Sequence, residues 1–343
     1  MKMSKGASGI TYIGSFPPPF GGVTVKNALL VKYLSERMSI DKIDLSLVKR
    51  FSPEECGRLL GSLFSPKGAL AIGVSLDWCK RLVGLLYRFN RAKLGRSVIF
   101  MMGGTIPQSA SFAQELNSAK RVYVETKTMK AQLLAVGVEN AAIYPNCRER
   151  HDTTPAIRGS RNGLSAVFFS CISKVKGADI VIEAARSLPG IDFHFYGRID
   201  EGYAAEFAES CAQLPNVRYH GVYDSANGDV VGEISRYDVH LFPTVYPNEG
   251  VPGVIVETKM AGVPTIATDV CFNADLVEDG VDGFLIRPHG SDELVDRLLV
   301  LNGSPETLDA LRGSALRSAE EYCIDRYLDG ILEELASPSS PEV

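Results

Sequence analysis

Two glutamates stand eight positions apart in NEGVPGVIVETKMAGVP (248–264), Glu249 ahead of a glycine-rich turn and Glu257 beyond it. The turn runs through Gly250, Val251, Pro252, Gly253 and Val254. Pro252 has no N–H to lose and suits the start of a helix, which Gly262 and Pro264 then end. Amides around Gly253 and Val254 would point at an anion such as a diphosphate. The Glu257 carboxylate can accept two hydrogen bonds, as the 2′,3′-diol of a ribose requires. Glu249 would reach past the phosphates to whatever they carry, and a sugar nucleotide fits that line of groups. The plainer alternative makes both residues ordinary carboxylates near a helix N-terminus, where the dipole favours them.

Two other loops have anion-binding chemistry. PPPFGGVTVKN (17–27) places Gly21 and Gly22 between a strand-like run and a helix, and SKVKGADI (173–180) carries Lys174, Lys176 and Gly177 into another. Exposed amides and a helix dipole favour phosphate in both places. Taken singly, each loop is weak evidence, because glycine at a turn is usually only a turn.

The elements that must position these loops are legible as an alternation. Runs such as GITYIGSF (9–16), SVIFMMGG (97–104), SAVFFSCI (165–172), IDFHFYG (191–197) and DVHLFPT (238–244) are rich in β-branched and aromatic residues and end at Gly, Ser or Thr. Between them lie segments with apolar residues three or four apart, including 24–38 and 177–188. Strand–helix alternation gives parallel sheets, which bind ligands beyond the carboxyl ends of their strands. The polar segment 151–163 is the expected linker, giving domains over 1–155 and 156–320, with a C-terminal helix and a disordered tail over 321–343. His194 and His220 fall within strand-like runs and have no catalytic setting.

Composition bounds the rest. A chain of 343 residues, 45% hydrophobic and 22% charged, is long enough for two cored domains. Its seven cysteines have no CxxC pair and no metal-ligand rhythm, so the expectation is free thiols in a reducing cytoplasm. No signal-like segment is expected, nor any apolar run long enough to cross a bilayer. The net charge of −5 hides a division: residues 1–155 hold 22 Lys and Arg against 11 Asp and Glu, or +11, and the remainder 14 against 30, or −16. A basic first half implies an anionic partner. DWCKRLVGLLYRFNRAKLGR (77–96) concentrates the basic character, with six cations, one carboxylate and helically spaced Trp78, Leu82, Leu85, Leu86 and Phe89. That composition suits a helix lying in a lipid interface, and a helix packed on its own core would read the same way.

The stretch from Asn248 to Pro288 resembles the E-x7-E region of retaining glycosyltransferase family 4. Further resemblance lies in PPPFGGVTV, VYVETKTMKAQLLAVGVENAAIYPN, KGADIVIEAARSL and FYGRID, covering most of residues 10–290. The resemblance implies an α/β GT-B architecture, two Rossmann-like domains with parallel sheets facing a cleft. It also implies a metal-independent enzyme without a cofactor, whose donor is a UDP- or GDP-type sugar and whose acceptor is a lipid-linked or other saccharide in bacterial surface polysaccharide synthesis. Such an enzyme would be cytoplasmic, peripheral on the anionic inner face of the membrane, with no nucleic-acid partner.

Carried over by position, the resemblance puts the catalytic candidates Glu249 at the donor sugar hydroxyls and Lys176 on the diphosphate. Gly21 and Gly22 fall at the donor phosphates or the acceptor, the amides of Gly250 to Val254 near Glu249, and Glu257 on the ribose. Two departures stand out: Ser170 and Cys171 replace the family's Gly-Arg, and Met102 replaces a frequent histidine. Lys174, or Arg198 beside Gly197, is the candidate substitute cation. Two other activities stay open, a GT-B sugar-nucleotide epimerase and a catalytically silent partner subunit. An NAD-linked oxidoreductase is disfavoured because no G-x-G-x-x-G follows the first strand.

Overall fold

The computed structural model describes residues 9–18, 21–151, 163–224 and 228–336. The linker expected over 151–163, apart from its two end residues, and the expected tail from Ser337 onward lie outside the described residues. So do Pro19 and Phe20 of the first glycine loop. The chain divides into two units, 1–149 with 323–343, and 150–322.

The first unit runs β1 (Ile10–Gly14), α1 (Gly22–Ser35), β2 (Ile40–Asp44), α2 (Leu45–Lys49), α3 (Pro53–Phe64), β3 (Leu70–Ser75), α4 (Leu76–Phe89), α5 (Arg91–Leu94), β4 (Val98–Met102), α6 (Ala110–Asn117), β5 (Arg121–Val124), α7 (Lys127–Ala135) and β6 (Ala141–Ile143). Its strands form one parallel sheet in the order β2-β1-β3-β4-β5-β6. Central β4, VIFMM, is buried throughout, as a strand covered on both faces must be. Edge strand β2, IDKID, exposes Asp41 and Lys42, charges that a central strand would not tolerate. The core packs Tyr12, Leu30, Phe100 and Tyr144 with Ile324, Leu328, Ile331 and Leu335. Those last residues surround and belong to α15 (Asp325–Ala336), so the helix set apart with the tail in the sequence is part of this unit. Ile324 N donates to Arg148 O at 3.1 Å, and Arg121 meets Glu334 at 2.6 Å.

The basic segment 77–96 turns its apolar stripe to the core. Cys79, Leu82, Val83 and Leu86 of α4 are buried, so its apolar stripe faces its own sheet. Lys93 is buried too, donating to Lys67 O, and Arg96 donates to Pro66 O at 2.8 Å. The cations left exposed are Lys80, Arg81, Arg88 and Arg91.

The second unit runs β7 (Ser165–Phe169), α8 (Ala178–Ser187), β8 (Asp192–Tyr196), α9 (Ala204–Gln213), β9 (Val217–Tyr219), α10 (Val230–Ile234), β10 (Val239–Phe242), α11 (Gly253–Met260), β11 (Thr265–Thr268), α12 (Asn273–Leu276), β12 (Gly283–Ile286), α13 (Ser291–Gly303) and α14 (Pro305–Ala319). Its parallel sheet has the order β12-β11-β10-β7-β8-β9. Phe168, Phe193, Phe195 and Leu241 fill the core with Ile180, Val181 and Leu298 from the helices. A buried ion pair between Lys259 and Asp282 fixes α11, and the same ammonium reaches Ser318 Oγ on α14 at 2.9 Å. Among the described residues, no helix is long and apolar enough to cross a membrane.

Candidate functional site

In the second sheet the chain moves outward from β7 in one direction through β8 and β9, and in the other through β10 and β11. Loops leaving β7 and β10 therefore diverge, opening the crevice that parallel α/β sheets use for ligands. The β7 loop carries Ser170 to Gly177 into α8, and the β10 loop carries Pro243 to Pro252 into α11. Val245 N donates to Val175 O at 2.9 Å, and Thr244 Oγ1 reaches the same carbonyl at 3.3 Å. Thr268 Oγ1 in turn donates to Thr244 O at 2.5 Å. This lacing fixes the two loops relative to each other.

Lys176 and Glu249, 73 residues apart in sequence, meet in the crevice. The ammonium donates to Glu249 Oε2 at 2.5 Å, Thr244 Oγ1 donates to the same oxygen at 2.9 Å, and the Tyr246 ring lies 5.1 Å from Lys176 Nζ. Their side chains are 21% and 11% exposed, so the pair is shielded yet reachable from solvent. A cation and a carboxylate thus sit together where two helices of ten and eight residues present their N-termini.

The glycines of the site have two separate causes. Gly177, at φ +77°, and Gly197, at φ +141°, are demanded by the fold: a Cβ would lie 2.1 Å from Pro243 O in the first and 1.8 Å from Ser170 O in the second. Gly22 and Gly250 are not, since a Cβ there would meet nothing within 4 Å. Gly21 has its amide occupied by Thr24 Oγ1 at 2.9 Å, so the N–H read as accessible from the sequence is taken within the turn.

The remaining expected residues are spread along the same rim or away from it. Pro252 caps α11 and Gly253 is its first residue, one position later than a helix-opening proline. Val251 and Pro252 are buried, while Gly253, Val254 and Glu257 are half-buried, with Glu257 one turn into the helix. Lys174 is turned to α9, where it pairs with Glu206 at 2.6 Å. Arg198 is exposed, and its carbonyl accepts from Ile172 N at 2.9 Å. Cys171 is a half-buried free thiol, and Met102 lies in the first core. Among the described residues, no three His, Cys, Asp or Glu side chains are grouped to hold a metal ion.

The structure adds groups that sequence reasoning missed. Thr244 carries no motif, and its role depends on β7 and β10 being neighbours. At the carboxyl end of the first sheet, buried Glu125 accepts from Gly103 N at 2.6 Å and pairs with Lys26 at 3.1 Å. Lys26 also donates to Tyr144 O at 2.9 Å, and burial lowers its pKa against the opposing pull of Glu125. In the second unit His194 Nδ1 and His220 Nε2 lie 2.9 Å apart in stacked rings, and burial lowers the His220 pKa.

Comparisons with known proteins agree with this fold. Residues 164–302 match the family model described as Glycosyl transferases group 1. The lipopolysaccharide glucosyltransferase WaaG of Escherichia coli (strain K12) is 28% identical over 273 residues, covering 74% of this chain and 68% of WaaG. Among solved structures, Anabaena HepE in complex with UDP and glucose superposes with a TM-score of 0.69 at 17% identity, over 96% of this chain and 99% of HepE. The apo lipopolysaccharide outer core galactosyltransferase WaaB gives 0.65 at 16% identity, over 96% and 99%. Two parallel six-stranded α/β units and these likenesses give the chain the GT-B fold, and its second unit is similar to the glycosyl transferases of group 1.

Proposed function

We propose that the protein is a retaining, metal-independent glycosyltransferase that moves a sugar from a nucleoside diphosphate sugar to a lipid-linked saccharide during synthesis of a cell-surface polysaccharide such as O-antigen or capsule. The observation that carries this reading is the Lys176–Glu249 pair held on Thr244 at the β7/β10 crevice. On donor binding Lys176 turns to the diphosphate, and the N-termini of α8 and α11 add their dipoles to the same charge. Glu257 takes the ribose diol, and Glu249 the sugar hydroxyls.

Leaving-group charge grows as the sugar acquires oxocarbenium character, and a preorganised cation with aligned dipoles stabilises it most at that moment. Retention follows if the acceptor hydroxyl attacks on the face the diphosphate leaves. UDP-glucose is the first donor to test, because HepE is solved with UDP and glucose and WaaG is a glucosyltransferase. The named lipopolysaccharide substrates of WaaG and WaaB, together with the +11 first half, support a lipid-linked acceptor at the inner leaflet. Cys171 in place of an arginine favours one second reading, a subunit that binds nucleotide without turnover. Incubation with a panel of nucleotide sugars, measuring both binding and release of free nucleotide, separates the two: binding with release supports transfer, and binding without release under every acceptor supports the silent subunit.

A further inference from the structure

Tyr246 stands in the loop from β10 to α11, three residues before Glu249. Its backbone is held on both sides. The Tyr246 N–H donates to Thr244 Oγ1 at 3.3 Å, and Tyr246 O accepts from Glu249 N at 3.2 Å and from the Cys271 thiol at 3.9 Å. Thr244 Oγ1 is the atom that also binds Glu249 Oε2, so one hydroxyl fixes both the carboxylate and the residue that carries the ring. The side chain itself is unclaimed. Tyr246 is 38% exposed, and among the described residues its hydroxyl makes no hydrogen bond and no other aromatic ring packs on it. Tyr219, the other exposed tyrosine of the second unit's described residues, differs on both counts: its hydroxyl donates to Gly197 O at 3.0 Å and its ring meets Phe207 edge-on at 5.7 Å. Packing within the unit therefore accounts for Tyr219 and leaves Tyr246 without a reason.

The ring's neighbour is the Lys176 ammonium, 5.1 Å from its centroid. An aromatic face on a pinned backbone thus lies beside the cation given above to the diphosphate, whose own partner is the carboxylate given to the sugar hydroxyls. It supplies what neither charge can, a flat apolar surface. A pyranose needs both kinds of group: its hydroxyls ring the edge, where a carboxylate accepts from them, and its axial C–H bonds leave the faces apolar. Small-molecule sites commonly join a few placed polar groups to aromatic walls in this way. The nucleoside is the less suitable occupant, because the ribose assigned to Glu257 lies on the other side of the diphosphate from the sugar.

We propose that Tyr246 is a specificity-determining residue of the donor site, the platform on which the transferred pyranose stacks while Glu249 takes its hydroxyls. The proposal deepens the transferase reading above and rests on it. In the unliganded protein the ring faces the Lys176 ammonium, and as Lys176 turns to the diphosphate the sugar takes the ammonium's place against the ring. Such a surface favours the sugar and gives nothing to the nucleotide, so it sets how much of the binding of a sugar nucleotide comes from the sugar.

The test is isothermal titration of the full chain, as wild type, Tyr246→Ala and Tyr246→Phe. The ligands are UDP, GDP, UDP-glucose, UDP-galactose, UDP-N-acetylglucosamine and GDP-mannose. Tyr246→Ala should weaken the best-bound sugar nucleotide by about two- to tenfold, the factor an aromatic contact supplies beyond its area, and leave the matching free nucleotide at its wild-type affinity. Tyr246→Phe keeps the ring and should restore the sugar nucleotide's affinity. The free nucleotide also reports on the neighbours: a change acting through Lys176, the loop backbone or the base weakens nucleotide and sugar nucleotide alike, and that result overturns the proposal. So does a Tyr246→Ala protein with wild-type affinity for the sugar nucleotide, the outcome expected of a ring that serves the acceptor. A wild type that binds none of the six ligands removes the transferase reading, and this proposal with it.

Discussion

Replacing Glu249 by alanine separates its two partners, and the structure states what each loses. Glu249 Oε2 accepts from Lys176 at 2.5 Å and Thr244 at 2.9 Å, in a pair that is one-tenth to one-fifth exposed. That shielding places the bond to Lys176 between a surface pair, worth about 0–1 kcal/mol, and a fully buried one, about 3–5 kcal/mol to break. A loss of about 1.5–3 kcal/mol is therefore expected in stability, the range for hydrogen bonds to charged groups. The functional signature is sharper. Lys176, released from its carboxylate, should bind UDP alone as well as wild type or better, whereas transfer from UDP-glucose should lose about 10- to 150-fold in kcat/KM if Glu249 holds the sugar. Isothermal titration with UDP, paired with nucleotide-release kinetics, reads both. Equal losses in UDP affinity and kcat/KM would refute the reasoning, because they would mean that Glu249 acts through the phosphate loop alone.

Glu257→Ala should weaken nucleotide binding by about 1.5–3 kcal/mol for every donor sharing the ribose, with melting unchanged; a folded variant of wild-type affinity removes the ribose assignment. Lys26→Met leaves the Glu125 carboxylate in a buried site with only Gly103 N, and should cost about 3–5 kcal/mol in urea unfolding, while the double variant Lys26→Met/Glu125→Leu recovers part of it. His240 is fully buried in β10 with Nδ1 3.2 Å from Thr265 Oγ1, and burial pushes its pKa down to about 3 from 6.5. The unfolded chain therefore takes up the proton first as pH falls. Its contribution is whole above about pH 6.5 and lost towards pH 3, so stability should drop by about 2 kcal/mol between pH 6.5 and 5, a slope that His240→Asn abolishes.

Two central strands announce themselves, one in each sheet, whereas central β3, LAIGVS, does not. VIFMM and SAVFF are buried runs of β-branched and aromatic residues, and no other element suits them. Strand β2 escapes such a reading because its edge position admits adjacent Asp41 and Lys42 between its isoleucines, and β12, GFLI, because four residues make no pattern. The placement of α15 on the first unit depends on tertiary packing of Ile324 and Leu328, which an amphipathic repeat does not encode. In the site, Glu249 and Lys176 are visible as residue types, while their contact requires the β7/β10 register. The basic segment shows the opposite limit. Its composition fits lipid and core alike, and only burial separates Leu82 and Lys93 inside from Phe89 and Arg91 outside.

The most direct test of the account is transfer itself. Wild type and Lys176→Ala are given UDP-glucose with a lipid-extract acceptor, and both released UDP and glycosylated product are measured. The account predicts acceptor-dependent product from wild type, with the α or β configuration of the donor kept, and a turnover in Lys176→Ala about 10²–10³-fold lower, the loss typical of removing one transition-state donor. The same relative loss should appear with any other donor that is used. An inverted product, or a Lys176→Ala enzyme as fast as wild type, would contradict it.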